Sequence, residues 1–142
     1  MKGIFLSGKF IGLGLAVIAV FHVVALYRHW YYAVWWLDIP MHILGGFWVA
    51  LVLYRYLSKR QASLADPSSL ELFALTLAVI SAVGVFWEFY EYFEDLLFKT
   101  NAEWVVRLGV GYVDTLKDLA DDLLGGVLAF VALGGEVLKK QK

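Results

Sequence analysis

Four long apolar runs, separated by polar or aromatic stretches, set the pattern of this chain. The first covers about residues 4–26 and is interrupted near its start by Ser7 and Lys9. The others cover about 39–57, 70–92 and 112–138, the last being the least apolar. A helix needs about 20 apolar residues to cross about 30 Å of hydrocarbon, and each run meets that length. Asp38 stands at an N-cap position and Pro40 in the first turn, where proline is tolerated, so the second run has a defined start. The predicted fold is all-α: a polytopic membrane protein with four transmembrane helices in an antiparallel bundle. These helices use most of the chain, so residues 1–142 read as one transmembrane domain without a soluble appendage. Lys2 and Lys9 give the first run a basic start, but it is long for a signal peptide and no Ala-x-Ala site follows. An uncleaved span is therefore expected.

Composition agrees with the pattern. Of the 142 residues 61% are hydrophobic and 18% charged, with net charge −1 and mean hydropathy +0.71. Soluble domains are about half apolar and about a quarter charged. The chain is too apolar for a disordered tail and lacks the basic surplus of a nucleic-acid binder. With no cysteine, disulfides, thiolate metal sites and cysteine nucleophiles are excluded.

Basic residues give the orientation. Lys2, Lys9, Arg55, Lys59, Arg60, Lys139, Lys140 and Lys142 fall on one side of the four spans. Arg28, Lys99 and Arg107 fall on the other, with Glu94, Asp95 and Glu103 beside them. The positive-inside rule then places both termini in the cytoplasm and the segments at about 27–38 and 93–111 outside, in a bacterial inner membrane. Tyr27, Trp30, Tyr31, Tyr32, Trp35 and Trp36 make the first outer segment aromatic, as suits the headgroup layer.

Ionisable residues inside the spans are the candidate chemistry, because an intramembrane charge costs several kcal/mol unless paired. His22 lies near the end of the first span, Asp38 and His42 at the start of the second, and Glu88 and Glu91 near the end of the third. Asp114, Asp118, Asp121 and Asp122 begin the fourth. With alternating helix directions, all nine fall at the outer end. At about 100° per residue, Asp114, Asp118, Asp121, Asp122 and Gly125 share an arc of about 100°. Asp38 and His42 share a face, as do Glu88 and Glu91. Gly45-Gly46 and Gly125-Gly126 follow the polar turns, where small residues let helices approach closely, whereas Gly8-x-x-x-Gly12 is a weaker signal of the same kind.

Each residue also has a plain structural reading. His22 suits a buried histidine bonded to a backbone carbonyl, and His29 an interfacial site. Asp38 and Asp114 suit helix caps, Glu88 and Glu91 interfacial charges, and Arg107 a loop charge. What favours chemistry is the imbalance: His22, His42 and Lys117 face about seven carboxylates, which cannot all stay ionised at short range in a dry site. A divalent metal ion resolves it. Carboxylates with an imidazole suit Zn, Mn or Fe better than Mg or Ca. The expected ligands are His42, Glu88, Asp118, Asp122 and Asp114. Glu91 or Asp38 is the expected general base toward a metal-activated water, and Arg107 or Arg28 would hold an anionic headgroup.

Asp38-Ile-Pro-Met-His42, Glu88-x-x-Glu91 and Asp118-x-x-x-Asp122-x-x-Gly125 resemble the motifs of the VanZ-like membrane proteins in order and spacing. The resemblance covers about Asp38 to Gly126. Glu91 stands where that family has glutamine and Asp122 where it has asparagine, which adds negative charge. The resemblance implies a cell-envelope role, since VanZ is associated with glycopeptide-antibiotic resistance.

The leading expectation is a metal-dependent membrane hydrolase acting at the outer leaflet on an envelope lipid, or on a lipid-linked or glycopeptide-type cell-wall precursor. The alternatives are a proton-coupled transporter and a non-catalytic protein whose metal staples the bundle. Membrane lipids are the expected partners, nucleic acid is not, and the sequence leaves the oligomeric state open.

Overall fold

A computed structural model describes residues 4–59, 68–98 and 108–140. These residues form α1 (Gly8–Tyr27), α2 (Trp30–Ala33), α3 (Asp38–Lys59), α4 (Ser69–Phe98) and α5 (Leu108–Ala129), then a π-helical turn at Phe130–Gly134 and α6 (Gly135–Lys140). No strand occurs among them. The four apolar runs thus become α1, α3, α4 and the rod from α5 to α6; α1 starts four residues inside its run, whereas the others reach one to six residues past theirs. Gly8–Tyr27, Asp38–Lys59 and Ser69–Glu94 are long and apolar enough to cross a membrane. The 22-residue α5 is not in that group; it carries Asp114, Lys117, Asp118, Asp121 and Asp122.

Local chemistry sets the helix starts. Ser7 caps α1, its hydroxyl accepting from the Phe10 amide at 3.2 Å. Ser68 and Glu71 cap α4 reciprocally: the Glu71 amide donates to the Ser68 hydroxyl (3.2 Å) and the Ser68 amide to the Glu71 carboxylate (2.6 Å). Two readings change here. The 27–38 segment is not all loop, because α2 forms within it after His29, at φ 55°, turns the chain in the left-handed region. Asp114 is no cap, since α5 begins at Leu108 and Asp114 sits in its second turn.

Consecutive long helices run antiparallel. Trp48 Nε1 donates to the Ile11 carbonyl (3.2 Å) and Arg55 Nη1 to the Leu6 carbonyl (2.7 Å), joining α3 to α1. The tightest pair, however, is α3 with α5, which run parallel. A Cβ on Gly46 would strike the Asp122 carbonyl, and one on Gly125 the Ile43 carbonyl, so each backbone rests directly on the other. The glycine pairs therefore act as expected. Gly8-x-x-x-Gly12 does not: Gly12 faces open space, and it is Gly14 that meets the Trp48 ring.

The apolar core lies at the end of the bundle where α1 begins and α6 finishes. Leu51, Tyr54, Leu72, Ile80 and Val137 are fully buried there. The buried Thr76 hydroxyl is hydrogen-bonded to the Tyr54 hydroxyl (3.1 Å) and the Leu72 carbonyl (2.7 Å). Outward-facing side chains are largely apolar, as at Leu13, Val17, Val20, Phe86 and Val131. That arrangement suits hydrocarbon rather than water as the surrounding medium.

Candidate functional site

At the opposite end, the parallel seam of α3 and α5 brings Asp38 and His42 level with Asp114, Lys117, Asp118 and Asp122. Antiparallel α4 returns Glu88 and Glu91 to the same level. The i,i+4 spacing puts Asp38 Oδ1 3.4 Å from His42 Nε2, and Asp118 Oδ1 lies 3.9 Å from the same nitrogen. On the ring's other side, His42 Nδ1 is 3.4 Å from Asp122 Oδ1. His42, Asp118 and Asp122 are buried. Asp122 is the inward member of the Asp121–Asp122 pair, lying against Gly84 of α4.

Two overlapping groups of metal-capable atoms result. His42, Glu88, Glu91 and Asp118 each offer a ligand atom, all within 4.8 Å of one another. Asp38, Asp114 and Asp118 form a second group with the same spacing. Lys117 occupies this outer group: its ammonium pairs with Asp118, with Asp38 at 3.2 Å and with Asp114 at 3.6 Å. Within the inner group Lys117 reaches only the shared Asp118; no ion pair joins a lysine or arginine to Glu88 or Glu91 among the described residues. Glu91 Oε1 accepts from Trp87 Nε1 at 2.8 Å, while Glu88 Oε1 is buried without a hydrogen-bond partner. Carboxylate and imidazole oxygens and nitrogens at this spacing, with an orphaned buried oxygen among them, fit a divalent ion.

His22 is also buried at this end, but its Nδ1 is hydrogen-bonded to the Tyr31 hydroxyl of α2 (2.9 Å) rather than to a backbone carbonyl. Burial pushes the Tyr31 hydroxyl above the ordinary tyrosine range, which keeps it protonated. The His22 ring also packs edge-on to Trp87, centroids 5.0 Å apart. Of the anion-binding candidates, Arg28 is exposed at the C-cap of α1, outside both carboxylate groups. Arg107 lies outside the described residues. Sequence reasoning missed the Tyr31–His22 contact, the Trp87–Glu91 hydrogen bond and the central place of Lys117. The i,i+4 spacing of Trp87 and Glu91, and a lysine between Asp114 and Asp118, were the available signals.

Compared with known proteins, the chain matches one family profile, described as "Predicted membrane protein (DUF2238)", over residues 6–140. No curated protein and no solved structure matches it significantly.

Proposed function

The chain belongs to the DUF2238 family of predicted membrane proteins, and from that premise we propose that it is a metal-dependent membrane hydrolase acting on an envelope lipid. In this reading α5 to α6 is the fourth span, both termini are cytoplasmic, and the acidic end opens to the outer leaflet of a bacterial inner membrane. The observation that carries it is the convergence of ligand atoms from His42, Glu88, Glu91 and Asp118 within 4.8 Å of one another where α3, α4 and α5 meet. Those residues come from three separate stretches of chain, and their negative charge needs a cation.

His42, Glu88 and Asp118 are the ligands in this proposal. Asp122, facing Nδ1 of His42, holds the ring proton there and turns Nε2 toward Asp118, as second-shell carboxylates do. A divalent ion supplies Lewis-acid activation of water and of the substrate's polar oxygen. Glu91 takes the proton as the water oxygen bonds to the acyl or phosphoryl centre, and returns it to the departing oxygen. The Trp87 N–H on Oε1 of Glu91 orients the carboxylate. Asp38 and Asp114, paired with Lys117, tie the outer ends of α3 and α5 together. The VanZ-like order of the motifs supports an envelope substrate.

A second reading has an observation of its own. Lys117 already neutralises part of the acidic end, so a metal that merely staples the helices would also fit. A transporter is disfavoured by the packed apolar core around Leu51, Tyr54 and Leu72, which among the described residues any path to the other end would have to cross.

The test uses full-length protein in proteoliposomes made from total envelope lipid. Metal-dependent release of a water-soluble headgroup is expected, stopped by a chelator and reduced at least about 100-fold in Glu91→Gln, the scale of lost general-base catalysis. Release unchanged by chelation, or equal release from Glu91→Gln, would contradict the proposal.

A further inference from the structure

Two carboxylates of the acidic end reach in both directions, toward His42 and toward Lys117. Asp38 Oδ1 lies 3.4 Å from His42 Nε2, while Asp38 Oδ2 accepts from the Lys117 ammonium at 3.2 Å. Asp118 Oδ1 lies 3.9 Å from the same imidazole nitrogen and also accepts from that ammonium. The third acid at the ammonium, Asp114 at 3.6 Å, belongs to the outer group alone. Asp118 is therefore common to the inner and outer groups, and Asp38 links the outer group to His42. Neighbouring cation positions of this kind are the plan of two-metal centres, whose ions stand about 3.5–4 Å apart. Here a lysine nitrogen holds the outer position.

The placement of Lys117 follows from helix geometry. Asp114 precedes it by one turn on α5, Asp118 follows it directly, and the parallel α3 brings Asp38 across the seam. An ammonium offers three N–H donors, and three carboxylates surround this one. Its contacts are with the acids that shape the centre, so it is a positioning residue and not a catalytic one. The ligand atoms of Asp38, Asp114 and Asp118 lie within 4.8 Å of one another. Ionised acids that close repel unless a cation stands among them. Lys117 is that cation, tethered to the chain and singly charged, so it satisfies the acids without activating water as a divalent ion does.

We propose that Lys117 stands in for a second metal ion: it fixes Asp38 Oδ2 and Asp118 Oδ1, confines metal binding to the inner group, and keeps the centre mononuclear. The inference deepens the hydrolase reading and rests on it for the inner ion, though not for the exclusion of an ion from the outer position. Lys117 is partly exposed, so its removal would open that position to ions from the aqueous side.

The experiment loads the full-length protein with Mn, counts bound ions by elemental analysis and reads their coupling by electron paramagnetic resonance. The wild type should hold about one ion per chain, with the spectrum of an isolated ion. Lys117→Met and Lys117→Gln each remove the ammonium and should hold about two, with the exchange-coupled spectrum of neighbouring ions. Lys117→Arg keeps the charge and should return to about one isolated ion. Asp114→Asn combined with Lys117→Met should lose the second ion and keep the first, because Asp114 serves the outer group alone. Two ions in the wild type or in Lys117→Arg, two uncoupled ions in Lys117→Met, or two retained in the double variant would overturn the proposal. One ion in the wild type and in both folded Lys117→Met and Lys117→Gln would sink this inference alone. A wild type that binds no Mn, with Lys117→Met gaining one ion, would sink the inner centre and the hydrolase reading alone. No ion in any of these proteins would sink both.

Discussion

The two ends of the bundle treat buried polar groups in opposite ways. At the end where α1 begins, Thr76, Tyr54, Arg55 and Trp48 each find a partner within the protein, and apolar side chains fill the space between them. At the other end carboxylates outnumber bases. Three buried polar atoms there, on His22, Glu88 and Asp121, lack hydrogen-bond partners, whereas Ser58 Oγ is the one such atom near the first end among the described residues. Packing alone favours the first pattern, since an unsatisfied buried group costs about 1–3 kcal/mol. The second pattern is the kind of departure from packing rules expected of a functional site.

This contrast can be broken from either side, and the effects should fall in order. Gly125→Val acts on both ends, because its side chain would strike the Ile43 backbone of α3. A loss at or above the upper part of the about 1–3 kcal/mol overpacking range is expected, read as a lowered Tm in detergent. Leu51→Ala should cost about 2–5 kcal/mol through a cavity in the apolar core, with metal content unchanged in the folded fraction. At the acidic end, a divalent ion at about 100 times its Kd should stabilise the wild type by about 2.7 kcal/mol. The same addition should leave the Tm of His42→Ala unmoved. Asp122→Asn should lower metal affinity about 10- to 100-fold while leaving the apo protein folded, as measured by competition with a chromogenic chelator. Thr76→Val leaves the buried Tyr54 hydroxyl without that partner and should cost about 1–3 kcal/mol while leaving metal affinity alone.

The spans were legible because hydrocarbon imposes a length and composition that few other environments share, and the runs near 4–26, 39–57 and 70–92 carry both. The last run was harder to read, since Asp114, Asp118, Asp121 and Asp122 dilute the signal of α5. Its π-helical turn at Phe130–Gly134 has no marker in apolar spacing. That Asp38, His42, Glu88, Glu91, Asp118 and Asp122 gather at one end followed from alternating helix direction. How they divide did not. The choice between Asp121 and Asp122, and the side of His42 that each acid faces, depends on how α3 rotates against α5. Contacts at Gly46 and Gly125 set that rotation. Loops constrain antiparallel neighbours, whereas the parallel α3–α5 pairing arises from side-chain size. Tyr31 was read as interfacial because the aromatic segment suits headgroups; its turn toward His22 depends on α2, a helix of only four residues.

Elemental analysis of purified, full-length protein is the sharpest single measurement. About one divalent ion per chain is expected in the wild type and in Leu51→Ala, and far less in His42→Ala and Asp118→Ala. A wild-type protein that stays metal-free after incubation with Zn, Mn and Fe, or substitutions at His42 and Asp118 that leave the metal in place, would contradict the assignment of the acidic end as a metal centre.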